Sequence, residues 1–187
     1  RRAVMWLTVP ITLFRTLAHL RRLRPDVVNV QCVSSAAWFV ARAAKLLGIP
    51  FVVTLQGELT MDATGVYQRS AMTRAALQYS MRHAALVTAC SQATLAEAET
   101  WADIHLGARG CVIHNGVCVD DFDRAAPMVR DRPYVLAVAR LVPQKGLDVL
   151  LRAYERLRSS GHVEHDLLIA GDGPLRGELE RLAVELG

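Results

Sequence analysis

Two short apolar runs on either side of an amphipathic segment dominate the hydrophobic pattern of this chain. Residues 134–139 (YVLAVA) and 167–170 (LLIA) are almost wholly apolar and too short for helices, which predicts strands buried on both faces, as in a parallel sheet. Between them, apolar residues at positions 147, 150, 151, 154 and 157 recur with the period of an α-helix. Strand, helix and strand in this order predict a parallel βαβ unit.

Earlier in the chain, helix-period and strand-like segments alternate in the same way. Pro10 suits the first position of a helix and Pro25 would end it, which predicts an amphipathic helix over residues 10–23. Further helices are predicted at 34–47, 66–83 and 92–101, the last capped by Ser91, and strands at 26–31, 51–55, 85–90 and 111–113. This alternation predicts an α/β fold with two Rossmann-like, doubly wound parallel-sheet domains.

Residues 117–133 interrupt the alternation, because they are rich in Asp, Arg and Pro and show no sustained periodicity. We interpret them as a connection between domains. The predicted division is a first domain over residues 1–116, a linker over 117–131 and the start of a second domain over 132–187. The chain opens on Arg1-Arg2 without an initiator Met and ends as a helix would be finishing, so both ends are interpreted as cuts.

The composition and charge of the chain limit the partners that it can bind. The net charge of +4 comes from scattered Lys and Arg without a long basic run, which argues against nucleic acid and favours a local anionic ligand. No apolar run approaches the ~18 residues of a membrane-spanning helix. The four cysteines form no C-x-x-C pair, and Cys32 and Cys90 lie in apolar, strand-like runs, which predicts reduced, buried thiols in a reducing compartment and therefore a cytoplasmic protein.

The predicted helix over residues 10–23 carries a basic stripe of Arg15, His19 and Arg22 beside its leucines. The favoured interpretation is that the leucines pack on the sheet while the basic side chains are solvated. The alternative is a peripheral contact with anionic lipid at the cytoplasmic face of a membrane.

The loop after the strand at 134–139 carries Arg140 and Lys145 and leads into a helix at Gly146-Leu147. The first amides of a helix and the positive end of its dipole favour an anion, and two cations add to that preference. Because the loop follows the carboxyl end of a parallel strand, the pattern predicts a site for a diphosphate.

A second loop, Gly171-Asp172-Gly173-Pro174, joins a predicted buried strand to a helix. Its glycines allow either close approach of a ligand to the backbone or a tight structural turn. The dinucleotide-binding pattern G-x-G-x-x-G would need glycine at position 176, which is Arg176, so a nicotinamide cofactor is disfavoured. The acids of Asp121-Phe122-Asp123 resemble a metal-binding D-x-D, but their place in the linker favours solvated side chains.

Two of these segments together resemble the group-one family of retaining, nucleotide-sugar-dependent glycosyltransferases with the GT-B fold. The first runs from Val138 to Ala153 and includes Arg140-Leu-Val-Pro-Gln-Lys145-Gly146, and the second is Leu168-Ile-Ala-Gly-Asp-Gly-Pro-Leu175. Upstream, Val112-Ile-His-Asn115-Gly116-Val117 is similar to the segment where the first domain of that family hands over to the second. The resemblance covers nearly the whole chain.

The resemblance implies a donor site and a reaction. Arg140 and Lys145 would bind the diphosphate of a nucleotide sugar and stabilise the charge on the departing nucleoside diphosphate, so they would be catalytic without metal or cofactor. Gly171 and Gly173 would line the donor site, and Asn115 and Gly116 would lie at the cleft. The acceptor would be a glycan, a lipid or a small molecule, and the role would be in glycan biosynthesis.

The chain also departs from the family pattern. Gln56 stands where many members carry a histidine next to the donor sugar, and glutamine can bond to a hydroxyl but cannot shuttle a proton. The family's Gly-rich loop and its E-x7-E pair have no counterpart in residues 1–187, so we expect the isolated chain to be inactive. The alternatives are a non-catalytic GT-B-like protein that binds nucleotide sugars and, less favoured, a nucleotide-cofactor oxidoreductase.

Overall fold

The computed structural model describes residues 2–57, 59, 65–161 and 164–187, and only the backbone of residues 2–8. The chain forms two compact units, Arg1–Val117 and Cys118–Gly187. The predicted domain limits of 1–116, 117–131 and 132–187 remain a proposal about domain organisation.

The first unit contains a four-stranded parallel sheet whose strands follow one another in chain order. The strands are β1 (Val28–Gln31), β2 (Phe51–Leu55), β3 (Leu86–Ala89) and β4 (Gly110–Val112). The helices are α1 (Arg2–Leu23), α2 (Ala37–Leu46), α3 (Val66–Arg69), α4 (Ala71–His83) and α5 (Gln92–Ala102), and a 3₁₀ turn spans Gly107–Arg109. The core lies between sheet and helices, and its largest fully buried side chains include Leu55, Leu59, Leu77 and Met81.

Serine side chains set two helix starts in this unit. Ser91 caps α5 as predicted, since its Oγ accepts a hydrogen bond from the backbone N–H of Thr94 at 3.1 Å. Ser70 divides the single helix predicted over residues 66–83 into α3 and α4. The backbone of Ser70 is extended, and its Oγ accepts a hydrogen bond from the N–H of Thr73 at 3.2 Å. The side chain therefore caps the start of a new helix where the predicted helix would have continued.

The prediction that Pro10 begins the first helix is wrong. The helix α1 starts at Arg2 and contains Pro10 in its interior. Proline there removes one backbone donor, and the residues before it include neither glycine nor another proline to end the helix. Leu20 is buried and Leu13 and Leu17 pack on the core as expected, whereas Phe14 of the same helix is 70% exposed.

The second unit is a βαβ arrangement followed by a helix. Its strands β5 (Tyr134–Val138) and β6 (Asp166–Ala170) pair in parallel, and its helices are α6 (Val119–Asp123), α7 (Leu147–Ser159) and α8 (Arg176–Leu186). The parallel βαβ unit and the α/β fold class with parallel sheets are thus confirmed. The short helix α6 lies inside the predicted linker.

The strands of the second unit are not buried on both faces, contrary to prediction. Ala137 and Ile169 pack against α7 and α8, whereas Leu136 is 52% and Val138 75% exposed. The reason is that both long helices of this unit contact the same face of the two-stranded sheet.

The prediction of buried thiols is wrong for Cys32 and is met only in part by Cys90. Cys32, Cys111 and Cys118 are exposed and Cys90 is half-buried. Cys32 and Cys90 follow the last residues of β1 and β3, so their side chains belong to the edge of the sheet. No helix in the described part of the chain has the length and hydropathy needed to cross a bilayer.

Candidate functional site

The loop that carries Arg140 is fastened to the loop of Gly171 and Gly173 by backbone hydrogen bonds. The N–H of Leu141 donates to the carbonyl of Asp172 at 2.9 Å, and the N–H of Leu175 donates to the carbonyl of Leu141 at 3.1 Å. On the other side of Arg140, the N–H of residue 139 donates to the carbonyl of residue 170 at 3.1 Å. Arg140 is therefore held between two anchored neighbours, and the structure brings it together with the glycine loop.

The two glycines are required by this packing. A Cβ at Gly171 would lie 1.9 Å from the carbonyl oxygen of Ala139, and one at Gly173 would lie 2.5 Å from that of Leu141. Neither distance is possible for a methyl carbon, and the neighbouring atoms are backbone that cannot rotate away. The glycines thus allow the two loops to touch, which is a role that neither interpretation of the sequence included.

Lys145 ends a short 3₁₀ turn, Pro143–Lys145, just before α7. Gly146 follows with φ of +60°, a left-handed conformation that favours glycine, and it leads the chain into the first turn of the helix. The buried side chains of Leu141, Val142 and Leu147 anchor this loop on the unit. Lys145 therefore stands beside the first backbone amides of α7.

Arg140 and Lys145 are both exposed, and neither forms an ion pair with a carboxylate in the described ranges of the chain. Two cations at the carboxyl end of β5 and beside a helix N-terminus create a local preference for an anion. Asp148 in the first turn of α7 is the one acidic residue of that turn.

A third cation near the glycine loop is already paired. Arg176 Nε donates to Glu180 Oε1 at 3.0 Å, and its Nη1 lies 3.9 Å from Asp172 Oδ1. The hydrogen bond to Glu180 raises the pKa of Arg176 above its ordinary value. Asp172 in turn accepts from the N–H of Gly173 at 2.8 Å, so these side chains stabilise the loop and the start of α8.

In the first unit, two predicted site residues are in direct contact. Asn115 Nδ2 donates to Gln56 Oε1 at 2.8 Å, which joins the segment after β4 to the end of β2. Gly116, predicted beside them, is exposed, and a Cβ there would meet nothing within 4 Å, so its surroundings do not demand glycine.

His114 is a residue of this cluster that the sequence analysis did not single out. Its Nδ1 lies 3.0 Å from the carbonyl oxygen of Cys90, and because a carbonyl only accepts, Nδ1 carries the hydrogen. The neutral ring then presents Nε2 as an acceptor. Its place next to Asn115 was the only signal in the sequence. Gln56, Cys90 and His114 follow β2, β3 and β4, at the edge where parallel sheets bind ligands.

The described residues contain no group of three or more His, Cys, Asp or Glu side chains arranged to hold a metal ion. Asp121 and Asp123, the acids of the D-x-D sequence, are exposed on α6. The prediction that the reaction needs no metal or cofactor stays a prediction.

Parallel α/β units with polar and cationic groups at the carboxyl ends of their strands define a class of proteins that bind ligands at that edge. Within this class, the chain belongs to glycosyltransferase family 4, whose model matches residues 4–121. Residues 119–187 match the model of glycosyl transferases group 1. The resemblance to the group-one glycosyltransferases is thereby confirmed.

Several curated relatives are glycosyltransferases. The chain is 27% identical to an alpha-D-kanosaminyltransferase of Streptomyces kanamyceticus, over 91% of this chain and 49% of the relative. It is 30% identical to a GDP-mannose-dependent alpha-mannosyltransferase of Mycobacterium tuberculosis, over 95% and 47% respectively. A shorter match of 57 residues, 46% identical, covers 30% of this chain and 15% of the GDP-mannose-dependent alpha-(1-6)-phosphatidylinositol monomannoside mannosyltransferase of Mycolicibacterium smegmatis. The chain spans about half the length of the relatives that it matches along most of its residues.

Two solved structures are similar at low identity. The UDP-GlcNAc 2-epimerase from Neisseria meningitidis, bound to UDP-GlcNAc, has a TM-score of 0.49 and 14% identity, covering 94% of this chain and 50% of that one. MurG of Acinetobacter baumannii has a TM-score of 0.46 and 18% identity, covering 93% and 42%. At these values the functional assignment comes from the family match and from the residues of this chain.

Proposed function

We propose that this chain provides parts of the acceptor and donor domains of a glycosyltransferase. The enzyme would move a sugar from a nucleoside diphosphate to an acceptor hydroxyl with retention of anomeric configuration. The observation that carries the proposal is the fixed Arg140 loop, held against Gly171 and Gly173 and followed by Lys145 at the start of α7.

This arrangement suits the charge changes of the reaction. A departing nucleoside diphosphate gains negative charge, and cations fixed in advance stabilise that charge without reorganising. The backbone on both sides of Arg140 is held by hydrogen bonds, so only the side chain of Arg140 would have to order around the diphosphate. In this proposal Arg140 and Lys145 are catalytic, and no metal or other cofactor is needed.

The polar cluster of the first unit would contact the sugar or the acceptor. Gln56 and Asn115 offer amide groups suited to hydroxyls, and His114 Nε2 offers an acceptor. Gly116 would lie at the same cleft. Two of the relatives are named for GDP-mannose, so GDP is the first nucleotide to test. A glycan, a lipid or a small molecule would be the acceptor.

The test of the diphosphate site is calorimetric titration of the 187-residue chain with GDP and with UDP. Arg140→Ala and Lys145→Ala should each weaken binding by about 1.5–3 kcal/mol, the scale of a charged hydrogen bond. Arg152→Ala is the matched control, because it removes an exposed cation from α7 in the same unit and should leave affinity unchanged. If Arg140→Ala and Lys145→Ala bind nucleotide as tightly as the unmodified chain and the control, the assignment of a phosphate site to these residues is wrong.

Catalysis and retention need separate measurements. We expect no sugar transfer by the isolated 187-residue chain, and transfer detected with GDP-mannose would refute this expectation. For the full-length gene product, NMR of the first-formed glycoside would show whether the anomeric configuration of the donor is kept. If the full-length protein binds nucleotide sugar but forms no product, it is the non-catalytic binding protein. If it binds NAD in place of GDP or UDP, the oxidoreductase is favoured.

We place the protein in the cytoplasm, where nucleotide sugars are available to such an enzyme. A peripheral contact of residues 10–23 with the cytoplasmic face of the membrane belongs to the same proposal. It is supported by the exposure of Ile11 at 58% and Phe14 at 70% on a helix that contains no acidic residue.

A further inference from the structure

The charges of the chain are strongly segregated along its sequence. Residues 1–57 contain eight Lys and Arg but a single acid, Asp26, whereas the remaining 130 residues contain 14 Lys and Arg and 17 acids. The modest net charge of +4 therefore hides a strongly basic first segment. A segment of this kind is attracted to anionic surfaces.

The fold collects much of this charge at one edge. Each of α1, α2 and α4 leads directly into a strand of the parallel sheet, so all three helices end at the edge where the strands begin. Backbone hydrogen bonds join the starts of these strands: Val28 N–H to Pro50 O at 3.1 Å, and Ala85 N–H to Phe51 O at 2.9 Å. The ends of the three helices are thus neighbours.

Each of the three helices ends in basic residues, which are Arg21 and Arg22, Lys45, and Arg82 and His83. Lys45 Nζ lies 2.9 Å from His83 Nδ1, which joins the ends of α2 and α4 directly. The charged groups that act on His83 are Lys45, Arg82, Arg42 and Arg109, all cations.

Large apolar side chains are exposed among these cations. Leu23 is 57%, Val27 55% and Leu46 54% exposed, and they adjoin Arg22, Arg24 and Lys45 in the chain. Basic residues at helix ends are expected, because they complement the helix dipole. That effect does not account for leucine and valine held in water beside them.

We call this surface the basic edge and define it by Arg21, Arg22, Leu23, Arg24, Val27, Lys45, Leu46, Arg82 and His83. Asp26 is its one carboxylate within residues 1–57. The basic edge ends near β4, because the helix before that strand, α5, ends with the acidic residues Glu99 and Asp103.

We propose that the basic edge binds the surface of a bilayer that contains anionic phospholipid. Leu23, Val27 and Leu46 enter the boundary between headgroups and acyl chains, and the surrounding cations pair with lipid phosphates. The apolar residues favour a lipid surface over an acidic protein or a free polyanion, because only a bilayer offers an apolar layer directly beneath a layer of negative charge. The proposal rests on the membrane contact proposed above for residues 10–23 and extends it to the ends of α2 and α4, and it involves residues different from those of the donor site.

The test is co-sedimentation of the 187-residue chain with vesicles of phosphatidylcholine alone or with 30% phosphatidylglycerol. We expect binding to the anionic vesicles only, weakened by 0.5 M salt because the attraction is screened. Arg21→Gln/Arg22→Gln should reduce the partition coefficient about 25-fold, since each surface cation contributes roughly fivefold. The matched control, Arg152→Gln/Arg156→Gln on α7, removes the same charge from exposed positions elsewhere and should bind like the unmodified chain.

A second variant separates lipid insertion from simple charge attraction. Leu23→Ser/Leu46→Ser keeps every charge and should lower binding at least tenfold, with circular dichroism confirming that the helices remain. The proposal is overturned if the Arg21→Gln/Arg22→Gln variant binds anionic vesicles as well as the α7 control does. It is also overturned if the leucine variant binds as well as the unmodified chain. Failure of nucleotide binding in the calorimetric test would leave these expectations unchanged, so the nucleotide site and the basic edge can be refuted separately.

Discussion

Asn115 donates a hydrogen bond from Nδ2 to Gln56 Oε1 across 2.8 Å, although 59 positions separate the two residues. Gln56 follows β2 and Asn115 follows β4, and β3 lies between these strands, so the bond spans the end of the intervening strand. It fixes which end of the Gln56 amide faces Asn115. The two side chains therefore form one hydrogen-bonded pair among the polar residues that we propose to contact the sugar or the acceptor.

A double-mutant cycle should detect this pairing. Gln56→Ala and Asn115→Ala remove the same hydrogen bond, so we expect a coupling free energy of about 0.5–1 kcal/mol, at the low end because the pair is exposed. Urea unfolding of the two single variants and the double variant measures it. Gln56→Glu is the control, since a carboxylate oxygen can still accept from Asn115 Nδ2. Strictly additive effects would show that the bond contributes nothing.

The glycine loop yields a prediction about stability. Gly171→Ala and Gly173→Ala should each lower the free energy of unfolding of the second unit by about 1–3 kcal/mol or more, because the added Cβ overlaps backbone of the Arg140 loop. Thermal unfolding monitored by circular dichroism measures the loss. Gly177→Ala is the matched control: a Cβ there meets nothing within 4 Å, and within α8 it should raise stability by up to about 1 kcal/mol. Two loop variants as stable as this control would contradict the close packing.

Arg109 closes the end of α4. Its Nη1 lies 3.2 Å from the carbonyl oxygen of Met81 and 3.1 Å from that of Ala84, groups that the helix itself leaves without a donor. Arg109→Met should lower the free energy of unfolding by about 1.5–3 kcal/mol, the scale for hydrogen bonds from a charged group. Arg109→Lys should recover part of the loss because it keeps the charge without the planar fork. Equal stability of all three proteins in urea would exclude a capping role.

His83 gives a prediction about pH. Its burial, and then the charges of Lys45, Arg82, Arg42 and Arg109, lower its pKa below the ordinary 6.5. The unfolded chain therefore takes up this proton more readily than the folded chain. The contribution of His83 to stability is complete above pH 6.5 and is lost as the pH falls through the folded pKa. Titration of the His83 ring proton by NMR should show the low pKa, and Lys45→Gln should raise it. A pKa at or above 6.5 in the unmodified chain would be the contrary result.

Local signals in the sequence were enough for most elements. The strand at 51–55 was predicted at its observed limits, because β-branched residues between Pro50 and Gly57 leave little alternative. Ser91 was recognised as a cap for the same local reason. The continuation of α1 through Pro10 and the break between α3 and α4 at Ser70 were not predicted. Both depend on backbone geometry, which the spacing of apolar residues does not reveal.

The candidate sites were predictable as lists of residues but not as arrangements. The motif around Arg140 and Lys145 identified the family, yet the reason for Gly171 and Gly173 emerged only from the approach of Ala139 and Leu141. Likewise, His114 had no signal of its own in the sequence, because its partner is a backbone carbonyl 24 positions away.

By itself the sequence determined the parallel α/β class, the glycosyltransferase family and the basic character of residues 1–57, because periodicity, motifs and charge are local properties of a chain. Only the tertiary structure decided which side chains meet. It placed Asn115 against Gln56, fitted the Arg140 loop onto two glycines and gathered the ends of α1, α2 and α4 into one surface. The physical reason is that these contacts depend on how strands pair and helices pack. The local pattern around a residue does not show which distant residue will lie next to it in the fold.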